Sequence, residues 1–282
     1  YKRQDRMRQR PISILVDALK DMGCDIEYME KKGFPPLKIN GKNIQSNSVS
    51  LPADVSSQYI SSLMMLGVSL ENGLEIILSS KITSLPYILM TKKIIERIGG
   101  VVKIQDAKIF IEQFKEKVIP EQFVESDWSS ASYFFSLAAL SKSVKLTLSK
   151  FSNDSLQGDS RLIDMYKNFG VETIFEDENI ILTKNNISLP KSIHLNLIDN
   201  PDLAQTILIT CLGLGIDCTL EGLHTLKIKE TDRLVALKNE IEKFEVDRIE
   251  ITKNSITLEN NSDLKHDVTI DTYNDHRIAM SF

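Results

Sequence analysis

No basic excess is present in these 282 residues: 34 Lys and Arg stand against 39 Asp and Glu, a formal charge of −5. A nucleic acid is therefore not an expected partner, although a local cluster of cations would still suit a small anion. Cysteine is scarce. Cys24, Cys211 and Cys218 lack the paired spacing of a zinc or redox site, and the odd count suits a reducing compartment, which leaves them as core fillers. Long hydrophobic runs are missing too: none approaches the roughly 20 residues of a bilayer crossing, and the opening "YKRQDRMRQR" holds no stretch for a signal peptide. The expectation is a soluble, cytoplasmic protein with no membrane partner. At 42% hydrophobic residues it is long enough for two domains. Flexible Gly/Ser linkers are absent, so the boundary is placed in the short extended stretch "IPEQFVESDW", near residue 125, and a cleft between the two domains would be a natural ligand site.

What is there repeats itself. "RPISILVDALKDMGCDIEYMEKKGFPPLKI", "LPYILMTKKIIERIGGVVKIQDAKIFI", "DSRLIDMYKNFGVETIFEDENIILT" and "TDRLVALKNEIEKFEVDRIEITKNSITL" each read as a helix followed by two strands. Their helices start near residues 11, 86, 160 and 231, with Pro11 at a first helical position and Gly23, Gly99 and Gly170 at helix ends. Between them recurs a strand, a nearly all-apolar helix and another strand, as in "SVSLPADVSSQYISSLMMLGVSLENGLEIIL" and "QFVESDWSSASYFFSLAALSKSVKLTL". Those helices, with Ile60, Leu63, Met64, Met65 and Leu66 in one and Tyr133, Phe134, Phe135 and Leu137 in another, are expected to be buried all round. The fold class is α/β, built from βαβαββ units in two similar domains. The chain opens at an outer helix and closes at "TYNDHRIAMSF", where a further helix has only begun, so it is read as part of a longer polypeptide.

The turns into the apolar helices invite comparison. Asp54, Ser56 and Ser57 match Asp127, Ser129 and Ser130 position for position, and Asp199, Pro201 and Asp202 fall on the same frame. Unpaired amides at a helix start can be capped by a serine hydroxyl or can join it around an anion. For Ser129 and Ser130 the capping role is favoured; for Ser56 and Ser57, with Gln58 beside them, the anion site is. Asp202 would repel an anion in that slot and is assigned to a substrate hydroxyl and its proton. Arg10, Arg161 and Arg233 lie at or just before outer-helix starts, where a cation opposes the helix dipole, so compensation by a bound anion is expected. Arg6, Arg8 and Arg10 alternate ahead of Pro11. In "IKETDRL", Lys229, Glu230 and Arg233 stay open between a solvated charged turn and a chemical role, and Asp232 reads as a first-turn acid satisfying the dipole.

Taken together, "SSQYISSLMM", "SLPYILMT", "DWSSASYFF", "SLQGDSRLIDMYKNFG", "DNPDLAQTI", "LKIKETDRL" and "TYNDHRIAM", in this order and spacing along the whole chain, closely resemble the 5-enolpyruvylshikimate-3-phosphate synthase family. The resemblance implies the enolpyruvyl transferase fold, incomplete here, with residues 1–125 and 126–282 as parts of its N-terminal and C-terminal domains. It also implies transfer of the enolpyruvyl group of phosphoenolpyruvate to the 5-hydroxyl of shikimate 3-phosphate, by a monomer with no metal or organic cofactor. By motif, Ser56, Ser57 and Ser84 would hold the shikimate phosphate, with Gln58 and Tyr87 beside the ring. Asp202 and Lys229 would meet the reacting hydroxyl. Arg10, Gln58, Arg233, His276 and Arg277 would surround phosphoenolpyruvate, and Glu230 would share with Asp202 and Lys229 the movement of protons. Alternatives are the sister transferase acting on UDP-N-acetylglucosamine, or a non-catalytic fragment of the same fold. Arg161 keeps an even balance between a structural and a functional role; His194, His224 and His266 are read as surface or strand residues, and Trp128 and Tyr133 as packing.

Overall fold

The structure, a computed structural model, describes residues 7–54, 56–114, 121, 123–261 and 263–282; Arg6 and part of the stretch expected to join the domains lie outside them. The chain divides into two compact units, Tyr1–Gln122 and Phe123–Phe282.

In the first unit, α1 (Ser13–Asp21) leads into a hairpin of β1 (Asp25–Tyr28) and β2 (Leu37–Asn40). A full repeat follows: β3 (Ser48–Leu51), α2 (Ser57–Gly67), β4 (Leu74–Leu78), α3 (Leu85–Arg97), β5 (Val102–Gln105) and β6 (Lys108–Ile111). Its sheet has the order β3-β4-β6-β5, parallel between β3 and β4 and antiparallel elsewhere. Side chains alternate along β4 and β6, whose inward residues Leu74, Ile76, Leu78, Ile109 and Ile111 join Ile60, Leu63 and Met64 of α2 and Ile88 and Ile95 of α3 in one core.

The second unit contains α4 (Trp128–Leu140), β7 (Lys145–Ser149), α5 (Leu162–Lys167), β8 (Val171–Glu176) and β9 (Asn179–Lys184). These are followed by β10 (Ser192–Asn196), α6 (Ala204–Leu214), β11 (Asp217–Glu221), α7 (Arg233–Glu242), β12 (Arg248–Ile251), β13 (Ser255–Glu259) and α8 (His276–Ser281). The order β10-β11-β13-β12 repeats that of the first unit, with the same single parallel pair. The middle repeat has only β7-β9-β8: the strand expected ahead of α4 does not form at residues 123–127. That segment is held instead by Ser126, whose amide and hydroxyl donate to the carbonyls of Lys150 and Ser149.

Helices α4 and α6 meet along a polar seam inside an otherwise apolar core. Thr206 Oγ1 donates to Ser132 Oγ (3.1 Å), Thr210 Oγ1 approaches Ser136 Oγ (2.8 Å), and the Tyr166 hydroxyl closes on Thr210 at 3.0 Å. All five side chains are buried.

Three expectations need correction. Helix α1 starts at Ser13, so Pro11 and Arg10 precede it, because the Ile12 amide is engaged by the Gly33 carbonyl (2.9 Å) with Ile12 outside the helical region. Two of the apolar helices are exposed on one side, at Met65 of α2 and at Phe134 and Leu137 of α4, whereas α6 is buried from Ala204 through Leu212, as expected. And the repeat frame slips at the caps. Ser56 caps α2, its Oγ accepting from the Gln58 amide, whereas in α4 the cap is Asp127, which accepts from the amides of Ser129 and Ser130. The serine hydroxyls of α4 therefore do not cap it.

Gly222 ends β11 with φ +81°, and a Cβ there would fall 2.3 Å from the Ile198 amide nitrogen. Gly222→Ala is expected to cost about 2 kcal/mol or more, from the left-handed backbone and the clash together, read as a lower urea midpoint at unchanged slope.

Candidate active site

Three loops of the second unit deliver carboxylates to one guanidinium. Arg233, the first residue of α7, is buried, with 2% of its side chain exposed. Its Nη1 donates to Asp202 Oδ1 (3.0 Å), Nη2 to Glu230 Oε2 (2.6 Å), and Nε to Asp275 Oδ2 (2.8 Å). Asp202 lies in the 3-10 turn before α6, Glu230 in the turn before α7, and Asp275 caps α8 through the Arg277 amide. The cation that opposes the α7 dipole is thus compensated by side-chain carboxylates.

Asp202 is the hub. Lys229 Nζ stands 3.4 Å from its Oδ1, and Arg277 Nη2 reaches Oδ2 at 3.4 Å while Nη1 reaches the backbone oxygen. Burial alone would raise this carboxyl, but the charges of Lys229, Arg277 and Arg233 outweigh burial and hold it below the ordinary carboxylate range. At Asp275 burial is likewise outweighed, there by the hydrogen bond and charge of Arg233. His276 is exposed at the start of α8. Arg161 stays outside this cluster, exposed and 3.7 Å from Asp199. Asp232 is the N-cap of α7, accepting from the Val235 amide, in keeping with its reading as a helix-start acid.

Two members escaped the sequence. Tyr133, taken as packing, is half-buried in α4 with its hydroxyl hydrogen-bonded to Arg277; burial raises its phenol, and the charges of Arg277 and Arg233 pull it back. Trp128, the first residue of the same helix, is core. Asp159 lies in the "GDSR" segment and is buried. It accepts hydrogen bonds from Ser129 Oγ and from Asn200 Nδ2 (3.0 Å), which anchors the turn carrying Asp202. Burial raises this carboxyl, those two hydrogen bonds oppose the rise, and the negative charge of Asp202 adds to it. A buried acid has no local sequence signature, although its neighbour Arg161 had drawn attention to the segment.

The first unit assembles the other candidates by lacing two loops together. Ser80 Oγ accepts from the amides of Ala53 (2.7 Å) and Asp54 (3.1 Å) and donates to Asp54 Oδ1, and the Thr83 amide donates to the Ala53 carbonyl. This sets the starts of α2 and α3 side by side, with Ser56 and Ser57 at one and Ser84 at the other. Ser84 sits in the left-handed region (φ 56°) and makes no capping hydrogen bond, a strained conformation for a non-glycine residue. Gln58 is exposed on the first turn of α2, and the Tyr87 amide returns to the Ser84 carbonyl. Tyr59 donates to the Pro11 carbonyl (2.6 Å) and feels the charge of Arg10, so Arg10 also stands at the head of α2.

A family model described as EPSP synthase (3-phosphoshikimate 1-carboxyvinyltransferase) matches residues 4–282. A 3-phosphoshikimate 1-carboxyvinyltransferase of Bacteroides fragilis is 40% identical over 282 residues, 99% of this chain and 68% of that protein. The chain belongs to the EPSP synthase family. Another relative of that name, from Colwellia psychrerythraea, is 36% identical over 99% of this chain and 65% of its own length. A solved EPSP synthase from Acinetobacter baumannii superposes with a TM-score of 0.68 at 22% identity, covering 98% of this chain and 64% of that one, and shares its fold. The chain thus spans about two thirds of the length of these EPSP synthase family members.

Removing the central cation leaves buried carboxylates uncompensated, so Arg233→Met is expected to destabilise by about 3–5 kcal/mol. Asp159 should behave oppositely. Its folded carboxyl lies above the unfolded value of about 3.9, so the native state loses stability as pH rises between the two values. Asp159→Asn can keep both hydrogen bonds, and its stability relative to the parent should rise from pH 4 to pH 8 in paired urea titrations; a gap that stays constant would refute the assignment.

Proposed function

We propose that this chain supplies binding and proton-transfer groups for 3-phosphoshikimate 1-carboxyvinyl transfer, in which the enolpyruvyl group of phosphoenolpyruvate passes to the 5-hydroxyl of shikimate 3-phosphate and phosphate leaves. The observation that carries this is the Asp202 carboxylate held ionised by Lys229, Arg233 and Arg277. We take residues 1–125 and 126–282 as portions of the two enolpyruvyl transferase domains, and the protein as a cytoplasmic monomer needing no cofactor. Among the described residues no helix is long and apolar enough to cross a membrane, and no group of three or more His, Cys, Asp or Glu could hold a metal ion.

With Lys229, Arg277 and Arg233 stabilising its charged form, Asp202 is a poor base. Phosphoenolpyruvate brings a carboxylate and a phosphate, and Arg277 and Arg233 would turn to them. Asp202 would then lose cationic neighbours and rise towards the proton affinity needed to take the hydrogen of the attacking hydroxyl. Lys229 and Glu230 stand on adjoining positions for delivery of a proton to the methylene carbon. His276 would add to the second unit's contacts with phosphoenolpyruvate. Ser56, Ser57 and Ser84 would take the phosphate of the shikimate ester, with Gln58 and Tyr87 along the ring; the strained Ser84 and the laced loops supply the pre-organised geometry that supports this assignment.

Calorimetric titration with shikimate 3-phosphate is expected to give saturable binding that Ser56→Ala combined with Ser57→Ala abolishes. Binding indifferent to that double change would remove the serines from the site. For the proton steps, Asp202→Asn is expected to slow turnover by roughly 10²–10⁴-fold, with exchange of solvent deuterium into the methylene group tracking Glu230→Gln instead.

A further inference from the structure

Glu240 lies outside every motif, yet it is 0% exposed on α7, two helical turns after Arg233 and on the same face. Three donors converge on it: the Tyr273 hydroxyl on Oε1 (2.8 Å), and Lys243 Nζ (2.6 Å) and the Asp271 amide (2.9 Å) on Oε2. Lys243 also reaches the Thr269 carbonyl (2.9 Å) and Asp271 Oδ2 (3.1 Å). Immediately afterwards come two consecutive left-handed non-glycine residues, Tyr273 (φ 55°) and Asn274 (φ 53°), and then Asp275, His276 and Arg277. Such backbone costs of order 1–3 kcal/mol per residue and persists only where its surroundings over-determine it. Helix α7 thus grips the segment twice, through Glu240 before the strained pair and through Arg233 on Asp275 after it.

We propose that Glu240 is a positioning residue whose grip on residues 271–273 forces the left-handed pair and thereby aims Asp275 and Arg277 at the anion-binding corner around Asp202. In its ligand-binding part the proposal rests on the function given above; the grip itself does not. A role confined to fold stability would instead loosen the core uniformly.

The test is amide hydrogen exchange on the ligand-free chain, followed by calorimetric titration with phosphoenolpyruvate, for the parent, Glu240→Gln, and Glu240→Gln combined with Asn274→Gly. Exchange at the Asp275 and Arg277 amides is expected to quicken at least tenfold in Glu240→Gln, with amides of β11 and α6 unchanged. Glycine at 274 removes part of the backbone cost and should restore protection and affinity in part. Unchanged exchange at 275 and 277, or acceleration spread evenly through the unit, would overturn the proposal. A parent chain that does not bind phosphoenolpyruvate would count against the proposed function, while the exchange result would still decide the role of Glu240.

Discussion

Everything chemical in the second unit depends on one desolvated guanidinium. Arg233 cannot be buried alone; the cost would be several kcal/mol, and its fork of donors must be met by acceptors from somewhere. Those acceptors, Asp202, Glu230 and Asp275, come from three separate loops, so a single charge ties all three loops to one point. Lys229 and Arg277 then add more positive charge around Asp202, and the result is a carboxylate whose state is set by how the neighbouring cations are occupied. An anion that claims those cations changes the basicity of the group it leaves behind.

The architecture was legible because the hydrophobic period changes from helical to strand-like at regular intervals, and that change depends on local burial alone. The repeat of strand, helix, strand, helix, strand, strand is present in both four-stranded sheets, with the parallel pair in the same place. Cap assignment was harder. Asp54 and Asp127 look equivalent in sequence, yet one accepts from Ser80 and the other caps α4, because a carboxylate two residues before a serine can satisfy either set of donors and only the tertiary loop decides. An all-apolar helix also says nothing about how many of its sides are covered, and Met65, Phe134 and Leu137 are outside.

Within the site, the charges that could be read lay either in a compact run, as Lys229, Glu230 and Arg233 do, or at a repeat or motif position, as Asp202 and Arg277 do. Asp159, Tyr133 and Glu240 could not be read, since each enters from a different element and resembles an ordinary polar residue of a helix or turn until its burial is known. What marks them is the hydrogen bonding that burial demands, and a linear sequence does not carry that information.

The seam between α4 and α6 has a consequence for aim. Ser132 and Ser136 on one helix face Thr206 and Thr210 on the other, both pairs four residues apart. Smooth apolar faces would tolerate sliding, but both pairs are made together at only one axial offset, and a slip of one turn, about 5.4 Å, would leave one serine and one threonine without a partner across the contact. The pairing works as a ruler engraved along the contact. It sets α6, which follows directly from Asp202, against α4, which carries Tyr133, so two groups on Arg277 are spaced by serines and threonines that never touch it.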